Sequence, residues 1–338
     1  MKLKRTNKIL FSLLICTVGL QVFSASNSSS LLAQELKLPT TITIEEANLF
    51  PEGIDFNTKT NEFLIGSVGL GSVGTVDAKT GAYKAIVKDE KLVNVIGIYT
   101  DEVRNRLLVA SGDLAKGNLA YLGVYNLETG APITDGVYLN KLLPESSGSF
   151  ANDITVDADG NIYVTDSFSP VIYRIDGKTY EPSIFVNGAE SFSAINKDQK
   201  GFALNGIVYL NGNLIVDVLN QGTLFKIPVA APKNFKKIDA PEFFGADGLE
   251  VDAKGNIVII DNGFSQQKNG AGAYTLTSTD GFDSATISSS FAIDASKFPT
   301  TATLASDGNI YVLNAYLTSS KFLGGDGTHK TFSIVRAE

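Results

Sequence analysis

The chain has 338 residues, 43% hydrophobic and 19% charged, a balance that suits a folded globular protein and excludes a disordered one. Its formal net charge is −8. No basic patch interleaved with aromatics appears, so neither nucleic acid nor an anionic membrane surface is an expected partner.

The first residues read as an export signal. Lys2, Lys4, Arg5 and Lys8 form a basic stretch, Ile9 to Phe23 is apolar, and Ser24, Ala25 and Ser26 are small. This is the pattern of a secretory signal peptide, placed over residues 1–26, and it implies a periplasmic or extracellular protein. The apolar run is too short to span a membrane comfortably. Cys16, the only cysteine, lies in this segment, and Ile15 stands where a lipoprotein signal wants a small residue. The mature chain is therefore expected to have no disulfide or thiolate chemistry. Its removal leaves 24 basic residues against 36 acidic. Residues 27–39 read as a flexible lead-in, and Thr40 to Ile44, rich in β-branched residues, as a strand.

One phrase then recurs. Its clearest copy runs Ala246-Asp247-Gly248-Leu249-Glu250-Val251, a turn through Asp252 to Asn256, then Ile257 to Ile260. That reads as strand, tight turn, buried strand. Other copies begin at Pro51-Glu52-Gly53, Ile96-Gly97, Asn152-Asp153, Asn205-Gly206 and Ala302-Thr303, each with a second apolar strand and at least one more behind it. Spacings of 42–56 residues with about four strands per repeat are the signature of propeller blades. The expected fold is all-β: a six-bladed β-propeller of four-stranded antiparallel blades, one domain over residues 40–338, a monomer. Thr40–Ile44 would supply the last strand of the sixth blade and close the ring.

In such a ring the innermost strands run along a central channel. One residue at an equivalent point of each blade meets the axis at similar depth. The expected set is Glu52, Ile96, Asn152, Asn205, Asp247 and Ala302. Two carboxylates and two amide oxygens make a hard, oxygen-only cage, which suits one divalent metal, calcium before magnesium. Zinc would want His or Cys. Against this stands a plainer reading: Asn-Gly and Asp-Gly are common turn dipeptides, and polar residues line most propeller channels.

On Pro51-Glu52-Gly53, Asn152-Asp153 with Val156-Asp157, Asn205-Gly206 and Asp247-Gly248, the chain resembles the SMP-30/gluconolactonase family, the regucalcin-like sugar lactonases, related to the paraoxonase-like calcium propellers. The resemblance implies metal ligation by Glu52, Asn152, Asn205 and Asp247, with Asp247 also the catalytic base or nucleophile. Phe150 stands where sugar-lactone members often carry an arginine. With Phe202, Phe244 and Tyr316 it is expected at an apolar channel mouth, which favours a less polar lactone or ester; packing between blades is the alternative for these aromatics.

His329, the only histidine, has no Gly-x-Ser-x-Gly elbow to serve and reads as an exposed loop residue within reach of the channel mouth. Asp166, Asp217 and Asp261 end second strands and read as acceptors of backbone hydrogen bonds, or as support for the ligands. The expected function is calcium-dependent hydrolysis of lactones or related esters. Its rivals are a non-catalytic propeller with a structural metal and a phosphotriesterase.

Overall fold

The structure is a computed structural model that describes residues 38–193, 202–263 and 269–338. The expected signal peptide, 1–26, and all but the end of the lead-in lie outside them. Regular structure among the described residues is strand apart from short 3-10 turns. No helix among them is long and apolar enough to cross a membrane.

β1 (Thr41–Glu45) opens the fold. There follow β2 (Pro51–Asn57), β3 (Glu62–Ser67), β4 (Ser72–Val76) and β5 (Tyr83–Lys88), then β6 (Asn94–Asp101), β7 (Arg106–Gly112), β8 (Asn118–Asn126) and β9 (Val137–Tyr138). The third group is β10 (Ser149–Val156), β11 (Ile162–Asp166), β12 (Val171–Ile175) and β13 (Pro182–Asn187), and the fourth β14 (Leu204–Leu210), β15 (Asn213–Val218), β16 (Thr223–Pro228) and β17 (Lys236–Lys237). The last two are β18 (Ala246–Val251), β19 (Ile257–Asp261), β20 (Gly272–Thr277) and β21 (Thr286–Ala292), then β22 (Pro299–Leu304), β23 (Ile310–Asn314) and β24 (Thr331–Arg336).

The fold is a β-propeller. Where six separate four-stranded sheets are expected, four are found, and β6–β13 form one eight-stranded sheet. Its halves join through a short parallel contact, Ser149 opposite Asn118 and Phe150 opposite Leu119. β8 is the longest strand, and its extra residues reach past its own blade to the start of β10. The innermost strands β2, β6, β10, β14, β18 and β22 each touch the next, and β22 touches β2, so they close a ring. β1 pairs antiparallel with β24 from Thr41–Val335 to Glu45–Thr331. That pairing ties the two ends of the domain together and covers the edge of β24.

Second strands are apolar over most of their middle because each feeds two cores. On β3, Phe63 and Ile65 enter the cluster shared with the last blade, while Leu64 enters the one shared with the second. On β7, Leu107 and Val109 face one neighbour and Leu108 and Ala110 the other. Alternation of successive side chains thus sends odd and even residues into different blade interfaces, so no polar face is left.

Candidate functional site

A β-bulge interrupts all six innermost strands at one register. In β2, Pro51 pairs with Ser67 and Ile54 with Ile65, so Glu52 and Gly53 stand opposite the single residue Gly66. The equivalent pairs are Ile96-Gly97, Asn152-Asp153, Asn205-Gly206, Asp247-Gly248 and Thr300-Thr301. A bulge bends the strand and re-aims a side chain, and here it does so at the same depth around the ring.

The register corrects one expectation. The sixth blade presents Thr300, and Ala302 is paired with Val312 and packed in a core cluster. Thr300 is buried, and its hydroxyl donates to the Glu52 carbonyl oxygen at 2.8 Å. The signal was in the sequence: Asn152 precedes the turn Asn161 by nine, Asp247 precedes Asn256 by nine, and nine before Asn309 is Thr300.

The second bulge residue is glycine in four blades because the next strand lies against it. A Cβ on Gly53 would sit 2.3 Å from the Ile96 carbonyl oxygen, and one on Gly206 2.7 Å from that of Asp247.

Glu52, Asn152, Asn205 and Asp247 are all buried, at 3–8% exposed. Glu52, Asn152, Asn205 and Asp153 line one cavity of about 20 Å³ on the channel, roughly the room one ion or water needs. Asp247 adjoins it through Asn205, whose Nδ2 donates to Asp247 Oδ1 at 2.9 Å; Asn262 Nδ2 donates to Oδ2, also at 2.9 Å. Asn152 Nδ2 donates to Ser167 Oγ at 2.8 Å. The Ser167 proton is itself spent on the Leu204 carbonyl oxygen at 2.7 Å, so this oxygen must accept from Asn152. Each amide thus spends one N–H on a neighbour, Ser167 for Asn152 and Asp247 for Asn205, and has a carbonyl oxygen that can accept or ligate.

The electrostatics are one-sided. Burial, then the charges of Asp247 and Asp153, push Glu52 well above the ordinary range. Burial pushes Asp247 up to about 7 against the opposing effect of its two amide donors. The ion pairs among the described residues all lie elsewhere. Asp, Glu, His and Cys nowhere gather three or more to a metal-ready group among the described residues. The cage has two carboxylates and needs its amide oxygens.

Three further acids on the channel were not singled out by sequence. Asp153 accepts from the Ile207 N–H at 3.0 Å, and Asp55 accepts from the Thr100 N–H and hydroxyl. They tie neighbouring innermost strands together where no ladder partner exists. Burial raises Asp55, brings Asp153 to about 7 and, with the charge of Asp55, brings Glu250 to about 8. They face a cavity of about 510 Å³ at the end of the channel where the innermost strands finish.

At the end where those strands begin, a cavity of about 590 Å³ is lined by Phe50, Val68, Leu70, Leu114, Phe322 and Asn94 among others. Its lining is mixed, with Asn48 and Lys321 beside the apolar side chains, and it contains none of Phe150, Phe202, Phe244 and Tyr316, the set expected at the mouth. Phe150 is fully buried against Phe168 and Phe202, at 5.0 and 5.4 Å between ring centroids. It is core, wedged over Gly112, where a Cβ would meet its ring at 2.3 Å. Phe202 and Phe244 are half-buried. Tyr316 is half-buried too and stacks at 4.1 Å on His329, which is itself half-buried rather than exposed as expected.

Asp166 and Asp261 accept backbone N–H groups as expected, from Phe150 at 2.9 Å and Gly263 at 2.9 Å. Asp217 does not. It sits one residue earlier in its strand, opposite the Asn205-Gly206 bulge. Its oxygens are buried without a hydrogen-bond partner; the Gly206 N–H and its own approach and complete no bond. Burial, then the Asp247 charge, raise it well above the ordinary range.

No family model matches the chain and no curated protein does. Solved structures do. The major Malassezia sympodialis allergen Mala s 1 is 18% identical, with 89% of this chain and 97% of that one covered at a TM-score of 0.68. A luciferin-regenerating enzyme is 12% identical over 87% and 95% at 0.58. Regucalcin from Agrobacterium tumefaciens, described as a calcium-binding protein, is 14% identical over 86% and 91% at 0.56. At these identities the likeness is one of fold, and it makes this chain a β-propeller similar in architecture to regucalcin and to propellers that include enzymes.

Proposed function

We propose that this chain is an exported, calcium-dependent hydrolase of lactones or related esters. One observation carries the reading: Glu52, Asn152 and Asn205 share a single small cavity, and Asp247 is hydrogen-bonded to Asn205 beside it. The donors suit a hard cation, since two buried carboxylates lack a counter-ion among the described residues and two asparagines bring amide oxygens to the same place. Glu52, Asn152, Asn205 and Asp247 would hold the ion. Bound calcium supplies a Lewis acid for the carbonyl oxygen and charge for the oxyanion.

The chain's own residues do the rest. Asn205 and Asn262 hold the Asp247 carboxylate from both sides, which fixes the orientation of a base or nucleophile. Burial brings its pKa to about 7 in the metal-free protein; a cation held by the same carboxyl would lower it and keep it ionised, as a base or nucleophile at neutral pH requires. The cavity where the innermost strands begin, with Phe50, Leu114 and Phe322 in its wall beside Asn94 and Lys321, suits a substrate with both an apolar and a polar part.

The test is a panel of lactones, aryl esters and phosphotriesters assayed with calcium and with chelator. Lactone or ester turnover that chelation abolishes is the expected result; turnover indifferent to chelator refutes the metal. A second reading, a non-catalytic propeller with a structural cation, draws on the small volume of the cavity, about 20 Å³. It predicts that calcium raises the melting temperature with no turnover anywhere on the panel.

A further inference from the structure

Each innermost bulge faces one residue of the second strand. Around the ring these are Gly66, Ala110, Thr165, Asp217, Ile260 and Leu313. The fold accepts no side chain, an apolar one or a hydroxyl there, so it does not require an acid. Thr165 shows what a neutral polar group does at this point. It accepts the Asp153 N–H at 3.0 Å and donates to the Asn205 carbonyl oxygen at 2.7 Å, bridging two blades.

Asp217 occupies the same point behind the next bulge and is fully buried with both oxygens unpartnered. Its direction is fixed by Gly206. The point a Cβ on Gly206 would take is 2.8 Å from Asp217 Oδ1 and 2.7 Å from the Asp247 carbonyl oxygen. The carboxyl therefore presses on the wall formed by Asn205, Gly206 and Asp247. No ion pair among the described residues reaches it. A carboxyl taken out of water with no completed hydrogen bond and no counter-ion is costly, and nothing in the propeller asks for that cost.

We propose that Asp217 is a positioning residue for the cation of the candidate cage, a further acid set behind Asn205 and Asp247 that tightens cation binding at the expense of the metal-free fold. This rests on the metal reading above. Affinity of an oxygen cage rises with the number of charges around it, and a charge one layer out still acts through a medium far less screening than water.

The experiment compares the full chain with Asp217→Asn and Asp217→Thr by calcium titration calorimetry and by thermal melting in chelator. The amide or hydroxyl can bridge Gly206 and Asp247 as Thr165 bridges its own pair. Both variants are expected to bind calcium about tenfold more weakly and, in chelator, to melt at a higher temperature than the parent. A purely structural acid would give lower melting in both variants, and that result overturns the proposal. Parent and variants with equal calcium affinity overturn it alone. A parent that binds no calcium overturns the metal reading and this one with it.

Discussion

Asp247 is held at both oxygens by amides from two different places in the chain, Asn205 on the preceding blade and Asn262 just past its own second strand. On the proposed reading this fixes the carboxylate for a role in the channel. Asp247→Asn keeps the shape and removes the charge. It is expected to lower lactone or ester turnover by about 10²- to 10⁴-fold, the usual weight of a general base, while circular dichroism stays that of the parent. Full turnover in this variant would remove Asp247 from the chemistry. The residues with this kind of weight were readable where a dipeptide marked them: Glu52-Gly53, Asn152-Asp153, Asn205-Gly206 and Asp247-Gly248. Asn262 and Ser167 were not, and Asp217 was read only as one of three alike strand-end acids, because their roles depend on which blade wall they meet, and a single chain of letters carries no information on what lies across an interface.

The element that makes the site is the bulge. All six innermost strands carry it, and its second residue touches the next strand closely enough that glycine is needed at four of six positions. Gly206→Ala would place a methyl group 2.7 Å from both the Asp247 carbonyl oxygen and the Leu249 N–H nitrogen. Displacing β18 in this way is expected to cost about 1–3 kcal/mol of stability, the usual cost of overpacking, and to weaken calcium binding; an unchanged melting temperature and affinity would show that the strand has slack. First and second strands were legible because polar turns separate their apolar runs, marked by Asp159-Gly160, Asn211-Gly212 and Asp307-Gly308 in three blades. Fourth strands such as Val137–Tyr138 and Lys236–Lys237 were missed: they are two residues long and at the outer edge, where little apolar surface is buried and no pattern is imposed. The sixth bulge was misplaced by two residues because Thr300-Thr301 has no glycine to mark it.

For the molecule as a whole, the channel gathers acids from both ends with no basic partner in an ion pair among the described residues, and stability should depend on pH accordingly. Asp153 and Asp247 are raised to about 7 and Glu250 to about 8, against about 4 when unfolded. Below about pH 4 these groups are protonated in both states and contribute nothing. Above pH 8 the folded state must carry the buried charges and their full cost. Metal-free protein should therefore lose stability as pH rises from about 4 to 8, by up to about 1.4 kcal/mol per pH unit for each group. Exposed carboxylates whose values are lowered, such as Asp280 and Asp77, titrate below this window. Urea midpoints in chelator across the range check the slope, and a flat or rising curve would contradict it. The ring itself, one cage at one depth built from four distant segments, is tested most directly by anomalous scattering from crystals grown with calcium. The account predicts one strong peak on the channel axis within about 2.3–2.6 Å of oxygens of Glu52, Asn152, Asn205 and Asp247. A map with no peak there, or with calcium only elsewhere on the molecule, would contradict it.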